Sequence, residues 1–311
     1  MRSLRDFEPK KIARAKCSRV NTKDTLKQTP LQKARLSMVY VVLILWATII
    51  VLPVLGIILA SLNSASQNFI SFNEFKLGLE NFKYLFREDK GIYFTDWLVN
   101  SLFVSVYTMI VTVVVVSLTG YAYSRFRFKG RRVSLMLIML IQMIPSISAL
   151  IALYIINELL NQTIKILPLI TLVIIYSGGS IAGNTFVLKG YLDSISTEID
   201  DSAKIDGCGN FKTYIRIIMP LAKPMLMIIA LWSFIGPFGD VILPRILLTS
   251  PRSYTLPVGL YTLISGSSNA NKEVFQPVYA AGALITAIPI TALFIYSQKH
   301  MVSGLTTGGV K

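Results

Sequence analysis

Six blocks of apolar residues, each close to the ~20 needed to cross a bilayer as helix, leave this chain few ways to fold. They run roughly over 38–60, 98–122, 134–157, 166–188, 222–247 and 278–298. Of the 311 residues, 53% are hydrophobic and 15% charged, too little polar surface for a soluble domain of this size. In hydrocarbon every backbone N–H and C=O must be satisfied internally, which a helix does within one segment. The expectation is therefore an all-α integral membrane protein with six transmembrane helices. The first block is too long for a signal-peptide core, and its polar leader is too long for an n-region, so it reads as a retained anchor.

The net charge of +15 would suit nucleic acid, but its distribution argues for a membrane. Eleven of the 31 Lys and Arg precede residue 38, and five more (Arg125, Arg127, Lys129, Arg131, Arg132) follow the second block. Lys189, Lys204, Lys212, Arg216 and Lys223 flank the segment between the fourth and fifth blocks. Placing these on the cytosolic side obeys the positive-inside rule and puts both termini in the cytosol. A basic leader of this kind also contacts anionic membrane lipid.

Within the blocks, Pro145, Pro237, Pro244 and Pro289 mark helix breaks. Gly179-Ser-Ile-Ala-Gly183 is a small-residue face that suits close helix packing, with a substrate path as the second reading. The external loop over 61–97 reads as a cap of short helices, and that over 248–277 has a Ser/Gly/Asn-rich tip. Cys17 and Cys208 both fall on the cytosolic side, so no disulfide framework is expected.

Several chemistries are missing. There is no G-x-x-x-x-G-K-[ST] phosphate loop, no nucleophile elbow and no paired-Cys metal spacing, and His300 is the single histidine. Asp240 is the one acid well inside a block, too little for a proton relay. The chain reads as neither an enzyme nor a self-powered carrier, with no cofactor or metal of its own.

The polar stretch Asp201–Pro224 between the fourth and fifth blocks stands out. Thr197 suits an N-cap with Asp200 three residues on. Glu198, Asp200 and Asp201 favour the positive end of a helix dipole, and Gly207 suits a left-handed terminator. Phe211, Tyr214, Ile215 and Ile218 recur at helical spacing, and Pro220 and Pro224 lead into the fifth block. The pattern predicts a helix–turn–helix at the cytosolic surface. A docking lever and a plain amphipathic connector both fit it.

The wording of the stretch favours the lever. It resembles the EAA loop of ABC-importer permeases, E-A-A-x(3)-G-x(9)-I-x-L-P. Asp201-Ser202-Ala203 stand at E-A-A, Gly207 follows at the right distance, and Ile217, Met219 and Pro220 close the pattern. Ser253-Tyr-Thr-Leu-Pro-Val-Gly259, Ala287-Ile-Pro-Ile-Thr291 and the ending Val302–Lys311 look like the second permease subunit of maltose and maltodextrin importers. The similarity spans most of 98–311.

The resemblance implies a subunit of a bacterial inner (plasma) membrane importer. Its partners would be a second permease, two ATPase subunits that bind and hydrolyse the ATP, an extracellular or periplasmic sugar-binding protein, and an oligosaccharide cargo. It implies that 197–207 is a coupling helix centred on Asp201, Ser202, Ala203, Asp206 and Gly207. The ending, with Gly304, Leu305, Gly308 and Gly309, would reach between the ATPase subunits, and 265–275 would touch the binding protein. It places the sugar site mainly in the other permease, which leaves Asp240 as a candidate on the substrate path. The expected organisation is a basic tail (1–37), an anchor helix and external loop (38–97), a permease core (98–298, EAA loop at 197–220) and a cytosolic ending (299–311). An importer permease for a non-sugar solute and a non-transport scaffold are the alternatives.

Overall fold

The computed structural model describes residues 30–63, 76–88, 91–145, 148–265 and 275–307, with backbone alone at 31, 32, 164, 275 and 302–307. The chain divides into two compact units, Met1–Pro53 and Val54–Lys311. Among the described residues of the first unit, the backbone is helical from Pro30, the start of α1 (Pro30–Leu62).

The second unit is helical almost throughout its described residues. It contains α2 (Glu80–Leu85), α3 (Phe94–Arg125), α4 (Arg131–Ile141), α5 (Leu150–Ile164), α6 (Pro168–Asp193), α7 (Glu198–Ile205), α8 (Asn210–Thr213), α9 (Met219–Gly239), α10 (Ile242–Leu247), α11 (Leu256–Ser265) and α12 (Phe275–Thr307). Among the described residues, five helical runs are long and apolar enough to span a membrane: 33–62, 94–125, 168–193, 210–239 and 276–301.

Two predicted spans differ from this. The third block is not one helix but α4 and α5, separated at 142–149. Pro145 has no N–H to donate and disfavours helical backbone at the residue before it. The fifth block stops at Gly239, and Asp240 is extended (ψ 132°). Its Oδ1 accepts from the Ile242 N–H at 2.8 Å, starting the separate α10.

Helix α3 is the axis, packed along α6 and α9. Its buried face carries Ser101, Ser105, Thr108, Thr112 and Ser117, small hydroxyl residues that let helices approach closely in a membrane. The tight α3–α6 contact is at Gly120, where a Cβ would sit 2.8 Å from the Leu188 Cδ2. The expected seam at Gly179–Gly183 is not one. Gly179 has open space beside it, and Gly183 lies under the Gln142 side chain.

Near the N-terminus of α3 a core forms around Trp97, Phe94, Phe234, Phe238, Leu256 and Leu260. The Trp97 indole N–H donates to the Pro251 carbonyl at 2.7 Å, Asn100 Nδ2 to the Arg252 and Tyr254 carbonyls, and the Leu256 N–H to Ser101 Oγ. These bonds satisfy irregular backbone and seat α11 against α3. Sequence reasoning assigned that helix to a loop. A Cβ on Gly259 would lie 2.1 Å from the Trp97 ring, so Gly259→Leu is expected to destabilise the fold by at least the roughly 1–3 kcal/mol typical of overpacking. A lowered midpoint of thermal aggregation of the detergent-purified protein, relative to wild type, checks this.

Candidate functional site

The polar stretch between α6 and α9 folds as predicted, by partly different means. The α7 N-terminus is not capped by Thr197, whose backbone is already helical and whose side chain makes no cap bond. Ser196 Oγ instead accepts the Glu198 N–H at 3.2 Å. The C-terminus ends as expected. Gly207 takes φ +76°, its N–H donates to the Lys204 carbonyl at 3.0 Å, and the Cys208 N–H reaches back to the Ala203 carbonyl at 2.9 Å. This paired closure is the Schellman motif, and it fits glycine because a Cβ is strained at that φ.

Asp200 does not complete the predicted capping box. It turns inward, 6% exposed, and pairs with Arg125 at the C-terminal end of α3, Nε to Oδ2 2.9 Å. Arg125 Nη2 also donates to the Ile195 carbonyl at 3.1 Å, in the turn before α7. One step back, Ser124 Oγ donates to Asp193 Oδ1 at 2.7 Å, and Lys189 pairs with Oδ2 of the same carboxylate. The end of α3 thus holds the end of α6, the connecting turn and α7 together.

The second arm is held by the same helix. Tyr214 is buried, its hydroxyl 2.7 Å from Ser117 Oγ and its ring 5.1 Å from that of Tyr121. Between α8 and α9 the helix widens to a π-turn over Tyr214–Ile218. Pro220 follows, and its ring would crowd the Arg216 carbonyl in a regular α-helix. The run from Asn210 to Gly239 is therefore one continuous rod.

Of the residues singled out from sequence, Asp201, Ser202, Asp206 and Gly207 are exposed, while Ala203 is 3% exposed and faces inward, with α7 packed on α8. Asp201 is held by Lys204 Nζ at 3.0 Å, and Ser202 Oγ donates to the Glu198 carbonyl. Beside them Ile205 (86% exposed) and Phe211 (69%) present apolar surface at the turn. Sequence reasoning counted Arg125 only among the basic residues and Phe211 only for its helical spacing, and it passed over Ile205. It assigned Asp200 to capping, although Asp200 shares a helical face with Ala203, three residues on, which is the face that packs inward.

The other candidates lie elsewhere. Asp240 directly follows the C-terminus of α9, where its Oδ2 accepts from the Tyr176 hydroxyl at 2.8 Å. Arg245, on α10, stacks on the Tyr261 ring at 4.8 Å. Gly304 and Leu305 belong to the last turns of α12, and Gly308 and Gly309 lie outside the described residues. So does most of 265–275.

Comparison with known proteins places this architecture. Residues 114–306 match the family described as binding-protein-dependent transport system inner membrane component. The chain belongs to this family. The permease is 42% identical to the galactooligosaccharide transport system permease protein GanQ of Bacillus subtilis (strain 168), over 89% of this chain and 96% of that one. It is 43% identical to the maltodextrin transport system permease protein MdxG of the same organism, over 75% and 80%. Its fold also matches that of a bacterial ABC transporter involved in import of the acidic polysaccharide alginate, at TM-score 0.70 and 20% identity, over 87% of this chain and 98% of that one. The matched region of the permease takes in Arg125, the whole α7–α9 unit and Asp240.

Proposed function

We propose that this permease is the membrane-spanning half of an ABC importer for malto-oligosaccharides, driven through α7 by separate ATPase subunits. It works beside a second, different permease subunit and receives sugar from an extracellular or periplasmic binding protein. It carries no ATPase site and needs no cofactor, because the partner subunits bind and hydrolyse the ATP. Both termini are cytosolic, a reading that the positive-inside bias of the charge distribution supports. The basic tail (1–37), anchor and external loop (38–97), core (98–298) and ending (299–311) keep the roles given above, with Gly304, Leu305, Gly308 and Gly309 between the ATPase subunits.

The observation that carries this reading is the form of the α7–α8 turn. It offers an exposed edge of Asp201, Ser202, Asp206, Ile205 and Phe211, while its inner side is pinned to α3 by the Arg125–Asp200 pair. A short, rigid, partly apolar projection continuous with a membrane span is suited to transmit a two-state movement from a docked partner. The relatives named for maltodextrin and galactooligosaccharide transport support a sugar cargo. The extent of the match to GanQ also favours a second reading, with galacto-oligosaccharides as cargo.

Uptake of labelled maltotriose and galactobiose by a deletion strain carrying this gene tests both. Maltotriose uptake alone supports the first reading, galactobiose uptake alone the second, and uptake of neither rejects the sugar reading. Affinity purification of the permease is expected to bring an ATPase subunit with it; its absence in a transporting strain would reject coupling through α7.

A further inference from the structure

A cavity of about 430 Å³ opens between α4, α6 and α9, within the roughly 300–1,000 Å³ typical of small-ligand sites. Gln142, Gly179, Ser180, Gly183, Asn184 and Trp232 line it, with apolar side chains between them. Ser180 lies midway along α6, about 18–20 Å from either end at 1.5 Å per residue. Gln142 follows α4 directly, about 16 Å from Arg131 on the same scale. The amide groups therefore sit deep within the span.

Polar side chains and a broken helix are costly at that depth if lipid covers them, and are tolerated where they line an aqueous path. A proline-interrupted span is itself a pointer to a transporter's binding site. The parts are also arranged for contact. The Gln142 amide lies over Gly183, where a Cβ would come within 2.8 Å of both its Nε2 and Oε1. Asn184 Nδ2 donates to the Ser180 carbonyl at 2.9 Å, which fixes the second amide one turn from Ser180. Trp232 is 61% exposed.

None of the lining residues is charged. An amino acid or other ion entering here would need a counter-charge that this subunit does not supply. A neutral polyol would not. Its hydroxyls can exchange bonds with the two amides and Ser180, and its C–H face can lie on the indole.

We infer that this subunit itself contacts the cargo, with a pyranose ring of a neutral oligosaccharide held among Gln142, Asn184, Ser180 and Trp232. The inference rests on the proposed sugar-importer reading. It adds a contact to the expectation that the sugar site lies mainly in the partner permease, and it moves that contact away from Asp240, which is engaged by Tyr176 and the α10 N-terminus.

The test uses the complete transporter in proteoliposomes, with Cys17 and Cys208 replaced by serine and a reporter thiol introduced by Ser180→Cys. With the complex held by a non-hydrolysable ATP analogue and its binding protein present, modification by a small water-soluble thiosulfonate is followed with and without whichever of maltotriose or galactobiose the parent transporter takes up. Sugar is expected to slow modification at least threefold, and Trp232→Ala is expected to abolish that protection. The same slowing at Ile174→Cys, an α6 position outside the cavity, would mark a global conformational effect and overturn the proposal. Unchanged modification in a complex that transports the sugar would overturn the cavity alone. Failure of the parent to transport either sugar would overturn the sugar reading, and this inference with it.

Discussion

Replacing Arg125 by methionine is expected to abolish coupled transport, although the residue lies outside the α7–α8 turn. Its side chain is 7% exposed and that of Asp200 9%. Removing one member of a buried pair leaves the other charge without compensation, which costs about 3–5 kcal/mol. The loss falls on the contact between α3 and α7. At 1.4 kcal/mol per tenfold, it lowers the ratio of docked to undocked α7 by more than a hundredfold. Asp200→Leu should behave alike. The double variant Arg125→Met, Asp200→Leu carries the sharper prediction. Replacing both charges by apolar groups of similar volume is often neutral or stabilising, so most of the thermal stability, and at least a tenth of wild-type uptake, should return. Thermal melting of the purified complex and initial uptake rates check both points. A double variant as impaired as the singles would show that the charges act on something other than each other.

Gly207→Pro is expected to reduce uptake at least tenfold while membrane insertion stays normal. Proline fixes φ near −65° and has no N–H. Gly207 stands at +76° and donates to the Lys204 carbonyl. Both the left-handed turn and one of its two closing bonds are lost, a penalty of about 3 kcal/mol or more by analogy with proline inside a helix. Gly207→Asn is the matched control, because asparagine enters the left-handed region with little strain; it should keep most activity. Uptake, together with the amount of ATPase subunit that co-purifies, separates the outcomes. Wild-type uptake in the proline variant would remove the turn from the mechanism.

The parts legible in the sequence were those set by local chemistry or by the solvent. Gly207 announced its turn because few other residues tolerate that backbone. The spacing from Asp201 to Pro220 located the surface projection because helix, terminator and proline act within a few residues of one another. Asp200 was misplaced for the complementary reason. Its first-turn position suited a capping role, and only the approach of Arg125 from 75 positions away turns it inward. Helix α11 was hidden in an apparent loop because its seat is supplied by Trp97, Asn100 and Ser101 on α3.

The sequence by itself determined that the chain is a helical membrane protein, which segments of it are basic, and where its polar surface projection lies. Bilayer thickness, backbone satisfaction and the φ preference of glycine are constraints on short segments, so they can be read without knowing what lies nearby. Only the tertiary structure decided that the third apolar block is broken around a polar cavity, that Arg125 and Asp200 are partners, and that the small-residue face on α6 lies open rather than sealed. Those outcomes depend on which distant groups share a low-dielectric interior, where an unpaired charge or amide costs several kcal/mol and its partner is chosen by the packing of whole helices.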